Sequence, residues 1–273
     1  MVLNHNNFML DFEDTSAEFL ELASEVRLKI LFDLLQKPSR LTTLSKKYDV
    51  SPQEIHRNFE RMVNSNLIVK QENNFYALTT FGQAICTQIH SFSYLSENKK
   101  YFKSHNFGNL PSKFLRRIGD LSNSQEIVGV SRVLETWKKI YKTADDYIFN
   151  ILSETPLELM DLMIKRVKRG TKYRHIISED ASIPKGRKKL LEKSGFYALL
   201  ESEKIERRML KSVQISIILN ENSAGLMFPD SSGRPDLRSM FFSEDESFRE
   251  WCMDYFKYCW NVSDPFKEFK LKE

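Results

Sequence analysis

From residue 26 to residue 80 the apolar positions follow first the helical period of about 3.6 and then the strand period of 2. Ile55, Phe59, Met62 and Val63 fall at i, i+4, i+7 and i+8, one apolar stripe. The stripe starts just after Ser51-Pro52-Gln53-Glu54, which reads as a helix start. Ser51 at the N-cap accepts from the Glu54 backbone N–H, and the Glu54 side chain reaches back to the Ser51 N–H. Pro52 loses nothing at a first helical position, where its missing N–H would have had no partner. On the opposite face stand Gln53, His56, Arg57, Glu60 and Arg61.

The flanking patterns fit around this helix. Residues 19–35 read as one helix stopped before Pro38, and Thr42 caps a short helix with Leu41, Leu44 and Tyr48 inside. Asp49-Val50 makes the turn into the Ser51 helix. Residues 67–70 and 75–78 are β-rich runs joined by Gln71-Glu72-Asn73-Asn74, a hairpin. Thr79 caps a further helix to about residue 94, striped by Phe81, Ile85, Ile89 and Phe92. Helix, turn, capped helix and hairpin in this order predict a winged helix-turn-helix over residues 15–95.

The pattern loosens over residues 96–124, where Ser, Asn, Gly and Pro recur among Lys99, Lys100, Lys103, Lys113, Arg116 and Arg117. This stretch reads as a connector between domains. Beyond it helices and strands alternate. A helix at 132–142 carries Val133, Trp137, Ile140 and Tyr141 on its apolar side. Strands follow at 147–152 and 173–178, separated by a helix that Pro156 opens and Gly170 stops. A basic helix at 187–193, a hairpin of 213–219 with 224–228, a short strand at 240–242 and a strongly aromatic helix at 244–260 complete the series. Strand–helix–strand order predicts an α/β layer with a partly parallel sheet. The expected fold class is therefore mixed α+β and α/β: the winged helix, then a smaller α/β effector or dimerisation domain at 125–265.

Composition leaves this picture intact. Of 273 residues, 41% are hydrophobic and 29% charged, enough to bury a core in each of two domains. No apolar run reaches the roughly 18 residues of a membrane helix, so no membrane partner is expected. The N-terminus has no basic n-region of a secretory signal, which makes the cytoplasm the default. Three cysteines, Cys86, Cys252 and Cys259, are too few and too spread for a disulfide framework. Charge is segregated. Residues 1–25 hold six acids and no Lys or Arg, residues 26–90 are net +4, residues 91–210 net +9, and residues 211–273 net −3. The acidic leader either shields the basic surface or is a solvated tail, and the tail is the simpler reading. A module of only modest positive charge makes few phosphate contacts, which favours a homodimer.

Catalytic signatures are missing from the sequence. There is no phosphate-binding glycine loop, no dinucleotide fingerprint, no nucleophile elbow, and no His followed two residues later by Lys. His175 lies in a predicted strand and reads as a packed core histidine. Cys86 and His90 share a helix face but lack a second ligand pair, so no metal site, cofactor or catalytic residue is expected. The aromatic residues near the end of the chain read as core or as pocket lining. The basic clusters at 165–174 and 185–189 read as solvated helix ends, the alternative being a hold on an anionic effector or DNA backbone.

The two halves together resemble one family, the archaeal winged-helix regulators first associated with control of methanogenesis. The resemblance is carried by LTTLSKKYDVSPQEIHRNFERMVNSNLI and by GRPDLRSMFFSEDESFREWCMDYFKYCW, and it covers roughly residues 15–262. In the second run Gly233, Asp236, Phe241-Phe242, Glu250-Trp251, Tyr255-Phe256 and Trp260 match the family's closing strand and helix. The resemblance implies a cytoplasmic, dimeric transcriptional regulator whose second domain is an effector or assembly module. It transfers no ligand residues.

The expected function is sequence-specific binding of double-stranded DNA. The Ser51 helix enters the major groove with Gln53, His56, Arg57 and Arg61 as contacts, Ser51 and Thr42 near the backbone. Lys70, Asn73 and Asn74 on the wing approach the neighbouring minor groove or backbone. Dimerisation uses the 79–94 helix or the second domain, and a small-molecule effector acts on the latter. Two other readings stay open: an enzyme with the winged helix as a docking appendage, and a ligand-sensing or assembly factor that touches DNA weakly.

Overall fold

The computed structural model describes residues 12–154 and 156–271, which fall into two compact units divided between Phe92 and Ser93. In the first unit α1 (Phe12–Leu22) and α2 (Glu25–Gln36) replace the single helix expected over 19–35. The break has a local cause. Ser24 is extended and its hydroxyl accepts from the Arg27 N–H, a new N-cap inside the periodic stretch. Then come β1 (Ser39–Arg40), α3 (Leu41–Tyr48), α4 (Pro52–Asn64), β2 (Ile68–Lys70), β3 (Phe75–Leu78) and α5 (Thr80–Glu97). The three strands form one sheet in the order β1-β3-β2, so the hairpin has a third partner that the sequence did not suggest. Ile30, Leu31, Leu44, Ile55, Phe59, Met62 and Leu67 make the core of this unit.

Two sites show how the local sequence shapes it. Thr79 caps α5 as expected, its hydroxyl accepting from the Gly82 N–H at 2.9 Å. Gly82 is obligatory there, because a Cβ would stand 2.0 Å from the Leu67 carbonyl oxygen. At the hairpin tip Asn73 and Asn74 both take positive φ (56° and 61°), the left-handed conformation that Asn tolerates better than most residues.

The second unit is the larger of the two, not the smaller. Residues 96–124 do not form a connector. Tyr101, Leu110, Phe114, Ile118 and Leu121 are buried in its core, around a short α6 (Ser112–Leu115). Scattered Ser, Asn and Gly hid these anchors, which follow no single period. The remaining elements are β4 (Gln125–Val128), α7 (Val130–Lys142), β5 (Tyr147–Glu154), α8 (Met160–Lys168), β6 (Lys172–Ser182), α9 (Arg187–Ser194), α10 (Phe196–Glu201), β7 (Ile205–Leu210), β8 (Ser216–Leu219), β9 (Ala224–Met227), β10 (Ser239–Ser243), α11 (Glu246–Val262) and β11 (Asp264–Pro265).

They build one eight-stranded sheet in the order β11-β7-β6-β5-β8-β9-β10-β4. β5, β6 and β7 run parallel to one another and all other pairs are antiparallel, a partly parallel sheet as expected. Helices cover both faces. On one, Ile151, Ile176, Ile217, Leu226 and Phe241 pack under α11 through Trp251, Tyr255 and Phe256. On the other, Ile148, Tyr173, Ile205, Ile218 and Met240 pack under α7, α8, α9 and α10 through Trp137, Met163, Leu191 and Phe196. Strands buried on both faces read as continuous apolar runs, as Ser216-Ile217-Ile218-Leu219 does. Among the described residues no helix is long and apolar enough to cross a membrane.

Candidate nucleic-acid interface

Helix α4 is built as the sequence predicts at its start. The Ser51 hydroxyl accepts from the Glu54 N–H at 3.2 Å, and Pro52 is the first helical residue. The return bond from the Glu54 side chain is not among the hydrogen bonds of the described residues. Ile55, Phe59 and Met62 are buried, and the Phe59 ring meets Tyr76 of β3 edge-on at 4.6 Å, fixing the helix against the hairpin. Val63 departs from expectation and is 39% exposed. Asn58 takes the buried place instead, because Arg27 is buried opposite it and needs an acceptor.

The outer face carries Gln53, His56 and Arg57, all exposed. Arg57 has no ion-pair or hydrogen-bond partner among the described residues. His56 Nδ1 lies 3.4 Å from Glu60, an ion pair only when the imidazole is protonated. Arg61 is different: its Nη2 and Nε donate to the two carboxylate oxygens of Glu21 at 2.6 and 3.0 Å. Those bonds from Arg61 hold the Glu21 carboxyl below the usual carboxylate range despite its partial burial. A fork-to-carboxylate pair of this kind occupies the guanidinium face that would otherwise meet a phosphate. Part of the acidic leader is therefore helix α1, set against α4, and not a solvated tail; residues 1–11 lie outside the described part.

Thr42 is not a cap. Arg40 holds the N-cap position of α3 with no side-chain bond, and Thr42 sits exposed within the first turn. Lys70 ends β2, and Asn73 and Asn74 form the hairpin connection; all three are exposed. Sequence reasoning missed Arg40, whose guanidinium stacks at 4.8 Å on the Phe75 ring across the sheet. Its signal was Ser39-Arg40 ahead of α3, too short a strand to read by period. Lys47 is tied to Asp33 at 2.6 Å.

The same unit also exposes an apolar surface. Phe12, Phe19, Leu20, Phe81 and Phe92 are large and exposed, and Phe19 meets Phe92 edge-on at 6.1 Å. A groove of about 720 Å³ runs between α1, α2 and α5, lined by Phe19, Leu22, Leu28, Phe81, Ile85 and Ile89.

The second unit has a buried polar network. Asn150 Nδ2 donates to the hydroxyls of Tyr141 (2.7 Å) and Tyr173 (3.1 Å), and Tyr173 continues to His175 Nδ1 at 2.9 Å. Burial, with the nearby charges of Arg187 and Arg207, lowers the His175 pKa to about 3, so the imidazole is neutral. All three cysteines are buried and free, and His90 packs edge-on against Phe32 at 5.1 Å.

Residues 130–262 match the model of the methanogenesis regulatory protein FilR1, middle domain. No curated protein matches the sequence. Among solved structures the chain is similar to TrmBL2, an archaeal chromatin protein described with a novel mode of DNA binding, at 14% identity. That match covers 93% of this chain and 100% of the other, with a TM-score of 0.43. The chain is also similar to NucT from Helicobacter pylori, at 12% identity over 52% of this chain and 98% of that one, TM-score 0.40. A phospholipase D family member, Nuc from Salmonella typhimurium, aligns at 14% identity over 53% of this chain and 99% of that one, TM-score 0.38. At these identities and scores the solved structures assign no chemistry and no partner.

Proposed function

We propose, from the match of residues 130–262 to the middle-domain model of a methanogenesis regulatory protein, that the chain is a sequence-specific, DNA-binding transcriptional regulator. The first unit acts as the winged helix. Helix α4 lies in the major groove with Gln53, His56 and Arg57 toward base edges and phosphates, and the β2–β3 hairpin carries Lys70, Asn73 and Asn74 to the flanking backbone. The observation that carries this reading is the division of α4 itself: one face buried in the core, the other exposed and headed by an Arg57 that pairs with no carboxylate among the described residues.

The regulator works as a homodimer. The apolar groove between α1 and α5 supports this, since a face with Phe19, Phe81 and Phe92 at its surface gains by being covered. The second unit senses an effector or mediates assembly.

The test is binding of the purified protein to random duplex pools and to its own promoter, at low and at physiological salt. A site that survives physiological salt and weakens by about 1–3 kcal/mol with Arg57→Ala supports base reading. Equal loss on every sequence makes Arg57 a phosphate anchor. Binding that fades to a non-specific level rejects the regulator and favours an assembly factor, a reading that the Arg61–Glu21 pair supports because it neutralises one of the face's two arginines.

A further inference from the structure

Two arginines are buried side by side in the second unit and share one carboxylate. Arg187, at the start of α9, keeps only 6% of its side chain exposed, and Arg207 of β7 keeps 13%. Arg187 Nη1 donates to Glu268 Oε1 at 2.8 Å, and Arg207 Nη1 donates to Glu268 Oε2 at 3.1 Å. No other carboxylate pairs with either among the described residues. The Nε of each guanidinium is buried without a partner. Beside them His175 is neutral, so the cluster holds two positive charges against one negative. Buried charges are normally matched, and an unmatched guanidinium with a vacant donor is a standing site for an anion.

The carboxylate that serves them belongs to a weakly held segment. After α11 the described chain makes the two-residue edge strand β11 against β7, one of whose residues, Pro265, has no N–H to give, and then a single 3-10 turn at Glu268–Lys270. Phe266 and Leu271 then rest on Ile177, Ala181, Ile183 and Met209, and Lys270 pairs with Glu179. Glu268 is itself 45% exposed, unlike the two arginines. Under this strap lies a cavity of about 20 Å³, room for no more than a water, lined by Met160, Met163, Phe196, Phe266 and both arginines. Arg207 is sandwiched between the rings of Phe266 (3.7 Å) and Phe196 (5.3 Å).

We propose that the Arg187–Arg207 cleft is a binding site for a small organic carboxylate with an apolar body, and that Glu268 occupies it as an intramolecular stand-in. The ligand carboxylate takes the place of the Glu268 carboxylate between the two guanidiniums. Its apolar part takes the place of Phe266 against Met160, Met163 and Phe196. Segment 264–271 lifts from the sheet edge as the ligand enters. An inorganic oxyanion satisfies the arginines but leaves that apolar lining uncovered, which is why the carboxylate is favoured. The site lies wholly within the second unit and does not depend on whether the first unit reads DNA.

The experiment uses the full chain with benzoate, acetate and inorganic phosphate as probes, titrated calorimetrically into the wild type, Glu268→Gln and the double variant Glu268→Gln/Arg207→Met. A tethered competitor acts at high effective concentration, so removing its charge tightens benzoate binding by about tenfold or more. Benzoate outranks acetate and phosphate, and the double variant loses the gain. In the wild type, saturating benzoate also speeds amide hydrogen exchange in residues 264–271, a readout that needs no variant to fold. The proposal is overturned by benzoate binding no tighter to Glu268→Gln than to the wild type, by undiminished binding to the double variant, by phosphate outranking benzoate, or by unchanged exchange in 264–271.

Discussion

Asn58 of α4 accepts through Oδ1 from Nη1 of Arg27 on α2 at 3.2 Å, a buried bond that joins the helix with the exposed polar face to the helix behind it. Arg27 also donates to the carbonyls of Leu20 (2.9 Å) and Glu21 (2.6 Å), so one guanidinium closes the end of α1 and holds α4 together. Arg27→Met keeps the apolar stem but leaves Asn58 and two carbonyls without their donor. Loss of buried partners of this kind costs roughly 2–4 kcal/mol. Urea unfolding of the variant should show that drop; a midpoint unchanged from the wild type would mean that water replaces the guanidinium.

The Glu21–Arg61 pair sets a second expectation, about charge. Arg61→Ala in the otherwise wild-type chain leaves the salt dependence of DNA binding nearly unchanged, because Glu21 already engages that guanidinium. Glu21→Ala releases Arg61 to the phosphates, and the slope of log K against log salt steepens by about 0.9. Fluorescence anisotropy over a salt series measures both. No change in slope with Glu21→Ala would place the pair away from the DNA, and a large change with Arg61→Ala would mean that Arg61 meets phosphates despite Glu21.

Gly82→Ala should run against helix propensity. In an open helix the change gains about 1 kcal/mol. Here the added methyl meets the Leu67 carbonyl oxygen at 2.0 Å, backbone against backbone with no flexible side chain to yield. Overpacking of this kind destabilises by roughly 1–3 kcal/mol, and the clash outweighs the propensity. A variant that melts at or above the wild-type temperature refutes this.

The neutral His175 gives the second unit an acid sensitivity. Its folded pKa of about 3 lies below the unfolded value near 6.5, so the unfolded chain takes up a proton that the folded chain refuses. The stability this group contributes is complete above about pH 6.5 and is lost as the pH falls toward 3. The slope reaches at most about 1.4 kcal/mol per pH unit. Glu268, which partial burial pushes up but the Arg187 bond and both guanidinium charges hold low overall, adds its loss only in the carboxylate range below that. The interval from pH 6.5 to 5 therefore isolates the histidine. Urea midpoints for His175→Asn should be flatter with pH there than those of the wild type, and an equal slope would assign the effect elsewhere.

The sequence made α4, the hairpin and the alternation of the second half readable because each follows one period and ends on a chemical signal: Ser51-Pro52, Asn73-Asn74, Thr79, Gly170. It hid what depends on distant partners. Nothing local shows that Arg61 faces Glu21, forty residues away, or that Asn58 is buried to meet Arg27. β7 escaped notice because Ile205-Glu206-Arg207-Arg208-Met209 places two arginines in a strand, where one turns inward to Glu268 and the other outward over Trp260. Arg187 was read among solvated helix ends for the same reason: only the fold closes it in.

The burial of every cysteine makes the native chain silent toward alkylating reagents. Burial raises all three thiols, Cys259 to about 11, so the reactive thiolate is scarce as well as inaccessible. Cys86 belongs to the first unit, and Cys252 and Cys259 to the second. Each unit thus carries its own clock: the rate at which each cysteine becomes labelled reports how often its unit breathes open, separately and with no probe introduced.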